Sequence, residues 1–461
     1  MSAVSTELVQ RDRAAERGEF ADSANARWNP MSRIVFRFCF VYFGVFCVVF
    51  PQFLFVYLGV LGSKLPENAI AWTLEVLEPV FAWVGRQVFG VDAALNLETG
   101  SGDQTIIWIF LFCALVIALA VTLVWTVLDR RRPSYQRLHA WFLLFLRLAL
   151  GGQMFFYGMA KVIPTQMPEP PLMALLTPYG HFTPMAVLWS QVGSSPVYQI
   201  LLGSAEVLAG ALLLLPRTAT LGAMLSLVSM AQVFVLNMTF DVPVKILAGH
   251  LLLICLILLA PQAGRLANML VLQRPSEPAT QPEPFRSRRV RRIAVAAQLL
   301  LVPWVILGLI QADWQYWKES GGAPKPPLYG IWAVSEFTRD GQPVPPLVTD
   351  KNRWQRLVFD VSGSMYQQMD GTLVPMVATV DTSAGTLALS EAKHTAHPLA
   401  VAQAAEPVGA FTFTQPAPDR LRLDGQLDGH PVTVTLEQID LRSFPLRGTD
   451  FRWVQDEPRF G

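Results

Sequence analysis

Two ionisable side chains, Arg147 and Glu206, lie deep inside long apolar segments of this 461-residue chain. A charge in a hydrocarbon core is costly, so such residues usually pair with one another or carry function. At about 1.5 Å of rise per residue, both charges fall at similar depths in a core of ~30 Å. We therefore predict an ion pair between two helices. Two interpretations stay open: a polar centre for a ligand or a proton, or a structural clamp that orients the helices.

A second group of polar residues lies at the predicted outer ends of the apolar segments: Lys161, Asn237, Asp241, Lys245 and His250. Lys245 and His250 are five residues apart, so on a helix they are near each other without sharing one face. One interpretation is a binding site at the outer face of the bundle. The alternative is that the lysines snorkel to the interface and that His250 hydrogen-bonds a neighbouring helix.

The composition restricts the class of protein. Hydrophobic residues make up 52% of the chain and charged residues 15%, and the mean hydropathy is +0.36. This surplus of apolar surface predicts a lipid bilayer as the surroundings, and it excludes a wholly soluble enzyme and a disordered protein. A net charge of +1 predicts no nucleic-acid partner. The four cysteines form no CxxC pair and the six histidines are scattered, so no haem or metal motif is present.

The apolar runs predict seven transmembrane helices. The predicted spans are 34–61, 105–128, 138–163, 197–215, 218–236, 244–260 and 293–311. With seven spans, all basic segments fall on one side, which the positive-inside rule makes cytoplasmic. The chain is therefore expected to be a multi-pass protein of a bacterial inner membrane, with its amino end inside and its carboxyl end in the periplasm.

The same reading predicts the organisation of the chain between and beyond these spans. The amino-terminal part is predicted to consist of a cytoplasmic polar tail (1–33), the first span (34–61), a periplasmic loop with an interfacial helix (62–104), and the second span with a basic loop (105–137). Four spans (138–262), a basic cytoplasmic linker (263–292), the last span (293–311) and a periplasmic β domain (324–461) follow. The Pro-rich loop 164–196 is too apolar to lie free in water, and we expect it to cap the outer mouth of the bundle.

Alternating apolar residues and turn dipeptides predict the β domain. The turn dipeptides are Asp340-Gly341, Asp370-Gly371, Asp424-Gly425 and Asp428-Gly429, and the clearest strands are 357–361, 372–380, 411–414, 421–424, 432–436 and 451–454. About eight strands in up-and-down order predict an antiparallel barrel or sandwich. Gly330-Ile331-Trp332 resembles the start of lipocalin-like barrels. Residues 360–364 match the Asp-x-Ser-x-Ser metal loop of von Willebrand A-type domains, but another strand and not a helix follows, which favours a turn.

Residues 140–262 resemble the DoxX family of membrane proteins. The resemblance is carried by Arg147, Gly151, Phe155, Gly158 and Lys161, by Thr177-Pro178-Tyr179-Gly180, Pro184-Met185 and Leu188-Trp189, by Glu206, Gly210, Leu213-Leu214-Leu215 and Arg217-Thr218, and by Asn237, 241–245 and His250-Leu251-Leu252. It implies a four-helix core over 138–262 and kinship with membrane subunits of oxidoreductases, including that of a thiosulfate:quinone oxidoreductase. This chain departs from the family by three added spans and the β domain.

Two functions compete, and whether the protein is an enzyme at all stays open. The first is a redox-associated membrane subunit that binds quinone, with Glu206 and Arg147 handling protons and a soluble oxidoreductase as partner. The second is a non-enzymatic protein of lipid binding or envelope assembly, whose β domain holds an apolar ligand or an envelope protein. A transporter is less favoured, because no inverted repeat is visible.

Overall fold

The computed structural model describes residues 27–276, 284–285, 287–392, 404–449 and 451–458. Residues 1–26 of the predicted tail and part of the predicted linker therefore lie outside the described residues. The chain forms two compact units, one mainly helical and one mainly β. Among the described residues, those up to 97, 101–159 and 202–312 form the helical unit, and 98–100, 160–201 and those from 313 onward form the β unit.

The long helices confirm the prediction of seven spans. We number the principal helices α1 Pro30–Val49, α2 Trp72–Val84, α3 Thr105–Leu128, α4 Gln136–Val162, α5 Pro184–Gly193, α6 Pro196–Leu214, α7 Ala219–Thr239, α8 Lys245–Leu259 and α9 Arg288–Glu319. Short helical segments at Ala260–Gln262, Ala263–Ala267 and Asn268–Leu272 extend α8. In the described part of the chain, seven helices are long and apolar enough to cross a membrane: α1, α3, α4, α6, α7, α8 with its extension to Leu272, and α9.

The first predicted span, 34–61, is not one continuous helix. Helix α1 ends at Val49, and Phe50 has extended backbone angles because the following Pro51 disfavours the helical conformation. The chain continues as a short helix, Gln52–Phe55, and a 3₁₀ segment, Val56–Lys64. The predicted interfacial segment contains α2, which is helical as expected but only 13 residues long.

Helices α4 and α6 approach each other closely at glycines. A Cβ atom built on Gly158 would lie 2.9 Å from the carbonyl oxygen of Gly203 and 2.8 Å from a methyl carbon of Val207. One built on Gly210 would lie 3.1 Å from the carbonyl oxygen of Gly151. Small residues at such a contact allow two backbones in a membrane bundle to pack directly. This crossing brings the polar residues of α4 against α6.

The β unit contains a closed antiparallel barrel, which confirms the predicted β domain. Its strands are β1 Gly330–Arg339, β2 Gln342–Pro343, β3 Trp354–Asp360, β4 Gly363–Gln368, β5 Leu373–Asp381, β6 Thr386–Ala392, β7 Ala404–Ala417, β8 Arg420–Leu427 and β9 His430–Gln438. The long strands pair in up-and-down order, and β9 closes the barrel on β1. β2 is a short strand paired with the far end of β1.

Large side chains fill the barrel interior. Its buried core comprises Trp332, Phe337, Trp354, Leu357, Phe359, Met376, Leu387, Leu389, Phe411, Leu421, Leu423, Leu427, Val432, Val434 and Leu436. Eight strands enclose a space that side chains are just able to fill. Trp332, from the Gly-x-Trp segment, lies in this core, and its indole N–H donates to the carbonyl oxygen of Leu328.

Three of the four predicted turn dipeptides lie at turns. Asp340-Gly341 and Asp428-Gly429 have positive φ at both residues, as a type I′ hairpin requires, and Gly371 lies between β4 and β5. Asp424-Gly425 was predicted wrongly, since it lies inside β8. There the glycine is needed for close packing, because a Cβ would lie 2.1 Å from the carbonyl oxygen of Ala410 on β7.

The predicted strand at 451–454 is also wrong. These residues form no strand, and Phe451, Trp453 and Val454 are exposed. The closure of β9 on β1 explains this, because it leaves no neighbouring strand edge at that point for another segment to pair with. By contrast, the predicted turn within the Asp-x-Ser-x-Ser match is confirmed, since Asp360 pairs with Gly363 across the β3–β4 hairpin.

The loop 164–196 packs on the outer surface of the barrel. Leu172 forms a buried apolar cluster with Ile331 of β1, Val358 of β3 and Met365 of β4. Its backbone N–H donates to Asp360 Oδ2 at 2.7 Å. In addition, Arg447 forms an ion pair with Glu169 and donates to the carbonyl oxygen of Pro170. The expected capping of the bundle by this loop stays a prediction.

This contact agrees with the count of seven spans. The loop 164–196 follows the third span and the barrel follows the seventh. An even number of crossings separates them, so a seven-span chain places both on the same side of the membrane. The packing of Leu172 against the barrel requires that arrangement.

Candidate functional site

Arg147 binds the end of α6 and not Glu206, so the predicted ion pair is wrong. Its Nε donates to the carbonyl oxygen of Leu213 at 3.0 Å and its Nη2 to that of Leu214 at 3.3 Å. These are among the last carbonyls of α6, which have no partner within the helix and carry the negative end of its dipole. Glu206 is seven residues earlier, about 10 Å along the axis. This geometry matches the clamp interpretation of Arg147.

Glu206 belongs instead to a set of polar residues within the bundle, which we call the bundle polar cluster: Gln52, Gln153, Tyr157 and Glu206. The Glu206 side chain is buried, with 3% of the residue exposed. Gln52 Nε2 donates to Gln153 Oε1 at 3.3 Å, and Gln153 Nε2 donates to the backbone oxygen of Gln52 at 3.4 Å. A hydrogen bond also joins Gln52 to the phenol of Tyr157, and the Glu206 carboxylate interacts electrostatically with that phenol.

Sequence reasoning missed three members of this cluster, Gln52, Gln153 and Tyr157, because it considered only residues that are charged at neutral pH inside the spans. Gln153 and Tyr157 are four residues apart on α4, so they share a face and are one turn apart. Gln52 immediately follows Pro51, where the first apolar run breaks. An i, i+4 pair of uncharged polar residues within a span was the available signal.

His250 is buried between aromatic rings near one end of α8. Its ring stacks on Phe46 with centroids 4.0 Å apart and planes inclined by 6°. Nδ1 lies 2.7 Å from the carbonyl oxygen of Ile246, and Nε2 lies 2.9 Å from the hydroxyl of Tyr42. A carbonyl only accepts, so Nδ1 donates to it and Nε2 accepts from Tyr42 in a neutral imidazole. Both nitrogens are satisfied, as in the predicted alternative of a histidine bonded to a neighbouring helix.

The turn between α7 and α8 holds three more residues of the predicted outer cluster. Asn237 Nδ2 donates to the carbonyl oxygen of Val244, and Lys245 Nζ binds Asp241 at 2.8 Å. Asp241 has φ +53°, a left-handed conformation that aspartate tolerates better than most residues. Lys161 is buried at the end of α4 and falls in the β unit, whereas Asn237, Asp241, Lys245 and His250 fall in the helical unit.

Asp103 organises this turn and was missed by sequence reasoning. Its carboxylate accepts from the backbone N–H of Lys245 at 2.8 Å and of Ile246 at 3.0 Å, and Lys245 Nζ lies 3.8 Å away. It therefore caps the first turn of α8 from a distant part of the chain. No local pattern indicates this role, because 142 residues separate Asp103 from Lys245.

We expect Asp103→Ala to lower the free energy of unfolding by about 1–2 kcal/mol, because two backbone donors at the start of α8 lose their acceptor. Denaturant titration of the full chain in micelles measures this change. The matched control is Asp92→Ala, which removes a largely exposed carboxylate paired with Arg86. The control should change the free energy by less than about 0.5 kcal/mol. Equal losses in the two variants would contradict the capping role.

Comparison with known proteins identifies a relative of this chain. No family model matches the chain, and no solved structure matches it significantly. Over 122 residues the chain is 40% identical to the uncharacterized protein YwoB of Bacillus subtilis (strain 168). The match covers 24% of this chain and 71% of YwoB. Identity at this level over most of the relative's length shows that this multi-pass chain belongs to the same family as YwoB.

Proposed function

We propose that this protein is a quinone-linked membrane subunit of an oxidoreductase, with the bundle polar cluster as the site for the quinone head group. The observation that carries the proposal is the buried carboxylate of Glu206, which interacts electrostatically with the Tyr157 phenol, itself hydrogen-bonded to Gln52. Ionisable residues inside a membrane bundle commonly mark ligand or proton sites. The cysteines supply no CxxC motif, so a soluble oxidoreductase is the expected partner that donates electrons.

The chemistry of this cluster fits a quinone. The head group presents carbonyl oxygens, which need hydrogen-bond donors, and it supplies two-electron redox chemistry when bound. The amide of Gln52 and the phenol of Tyr157 are donors of the required kind. Glu206 is a carboxyl group that is able to hold or release a proton inside the bundle. The resemblance of residues 140–262 to the DoxX family supports the same assignment, since relatives there include subunits of quinone-linked enzymes.

The alternative is a non-enzymatic function in lipid binding or envelope assembly, and it depends on the barrel. Trp332, Trp354 and Phe411 occupy the barrel interior together with aliphatic side chains. A filled interior disfavours an apolar ligand inside the barrel. The form of this alternative that the geometry supports is an envelope protein bound to the outer surface.

Glu206→Gln tests the proposal, because it removes the proton site while keeping the shape of the side chain. We expect the wild type, extracted in native-lipid particles, to retain near-stoichiometric quinone that mass spectrometry detects. The variant should retain roughly 10-fold less, given about 1.5 kcal/mol or more for a hydrogen bond to a charged group. Asp241→Asn is the matched control, because it neutralises an exposed carboxylate at the α7–α8 turn.

Two results would contradict the proposal. One is equal quinone content in Glu206→Gln, Asp241→Asn and the wild type. The other is a wild type without quinone that carries an envelope protein or a phospholipid, retained in Glu206→Gln and lost when residues 324–461 are deleted. The second result would favour the assembly function.

A further inference from the structure

The loop that joins α3 to α4 is held rigidly by two arginines of α1. Arg33 donates to the carbonyl oxygens of Arg130 and Arg132, and Arg37 donates to that of Asp129. Arg37 is buried, with 2% of the residue exposed, although it lies inside the first apolar run. Sequence reasoning missed Arg37. The available signal was an ionisable residue inside a predicted span.

The hydroxyl of Tyr135 completes this anchoring. It accepts from both Nε and Nη2 of Arg37 and donates to Asp129 Oδ2 at 2.8 Å. Burial raises the pKa of Tyr135, so its hydroxyl stays protonated and remains a donor at neutral pH. The guanidinium of Arg37 also stacks over the Tyr135 ring, 5.1 Å from its centroid. The carboxylate of Asp129 is therefore bonded to Tyr135. The arginines of α1 hold the backbone of the loop.

The rigid loop presents a dense positive charge. Arg130, Arg131 and Arg132 are consecutive and exposed. Arg33 binds the backbone carbonyls of Arg130 and Arg132 and not the guanidinium groups of the loop. Arg132 lies 3.9 Å from Asp129, whereas Arg130 and Arg131 have no carboxylate partner among the described residues. Two guanidinium groups without a carboxylate partner in the described part of the chain therefore extend from a held backbone at this end of α3.

A shallow, open apolar groove leads to this charge along the surface of the same helix. It has a volume of about 360 Å³ and is lined by Ala120, Val121, Val124, Trp125 and Leu128 of α3. The spacing of these residues places them on one face of the helix. The groove ends at Leu128, two residues before Arg130. A shallow apolar groove and a cationic loop thus follow one another along the axis of one span.

We propose that this surface is a binding site for an anionic phospholipid, whose acyl chain lies in the groove and whose phosphate binds Arg130 and Arg131. Basic residues where a membrane helix ends attract anionic head groups, and guanidinium groups match phosphate oxygens in geometry. Helix α3 is apolar throughout and crosses the membrane, so the groove is in contact with acyl chains. A soluble anion would use the arginines but gain nothing from the groove.

The test measures binding of phosphatidylglycerol and phosphatidylcholine to the delipidated full chain in detergent, by native mass spectrometry. We expect Arg130→Gln/Arg131→Gln to raise the dissociation constant of phosphatidylglycerol about 30-fold, at about fivefold for each arginine. Val124→Trp, which fills the groove without changing charge, should also weaken phosphatidylglycerol binding. The matched control is Arg289→Gln/Arg292→Gln at the start of α9, two exposed arginines whose loss changes the net charge equally.

The outcomes separate the sources of affinity. Equal losses in the two arginine double variants would overturn the proposal, because they would show a general attraction of charge. Equal binding of both phospholipids by the wild type would also overturn it, as would full competition by millimolar inorganic phosphate without any effect of Val124→Trp. Unchanged thermal unfolding of the variants shows that the fold is retained.

Discussion

We expect Gly158→Leu to lower the free energy of unfolding of the helical unit by about 3 kcal/mol, at the upper end of the usual cost of overpacking. A Cβ atom at this position would lie 2.9 Å from both the carbonyl oxygen of Gly203 and the backbone nitrogen of Val207. Backbone atoms cannot rotate away, so α4 and α6 would have to separate. The separation would also weaken the bonds of Arg147 to the end of α6.

Gly44→Leu is the matched control for this prediction. Gly44 also lies within a membrane-spanning helix, but apart from its chain neighbours and the adjacent backbone of its own helix no heavy atom lies within 4 Å of the position its Cβ would occupy. We expect this variant to be neutral or slightly stabilising, since glycine is a poor helix former. Denaturant titration in micelles, followed by intrinsic fluorescence, measures both variants. A loss in Gly44→Leu as large as that in Gly158→Leu would show that any added side chain in a span destabilises the bundle.

The second large effect is expected in the barrel, where Trp332→Ala should cost about 3–5 kcal/mol. Only 1% of Trp332 is exposed, and its ring lies in the aromatic core with Trp354 and Phe359. Removing the ring leaves a cavity that a closed barrel cannot collapse to fill. It also leaves the carbonyl oxygen of Leu328 without the indole donor. Hydrogen exchange of the barrel strands in the full chain measures the loss.

Trp453→Ala is the control for Trp332→Ala, because 92% of Trp453 is exposed. This variant should change stability by no more than about 0.5 kcal/mol, as is usual for surface positions. Faster exchange in β1, β3 and β9 is expected for Trp332→Ala alone. Similar exchange rates in both variants would contradict the assignment of Trp332 to the barrel core.

The number of spans and the barrel were predictable because both follow from patterns along the chain. A run of about 20 apolar residues is long enough to cross a bilayer, and a membrane leaves few other conformations for it. The type I′ turn at Asp340-Gly341 and the alternation of apolar and polar residues in the strands around it also depend on only a few neighbouring residues. The sequence left an antiparallel barrel and a sandwich open, and long-range contacts that close β9 on β1 decide for the barrel.

The sequence by itself therefore determined which segments cross the membrane and where most of the strands lie, since hydropathy and turn chemistry are local properties. Only the tertiary structure decided the partners of the charged residues. Arg147 binds the backbone at the end of α6 because the glycine crossing brings that end to it, while Asp103 caps a helix that begins 142 residues later. Carbonyl oxygens occur throughout any chain, so the sequence does not show which of them a distant charged residue binds. Their selection as partners depends on packing, which joins residues that are far apart in sequence.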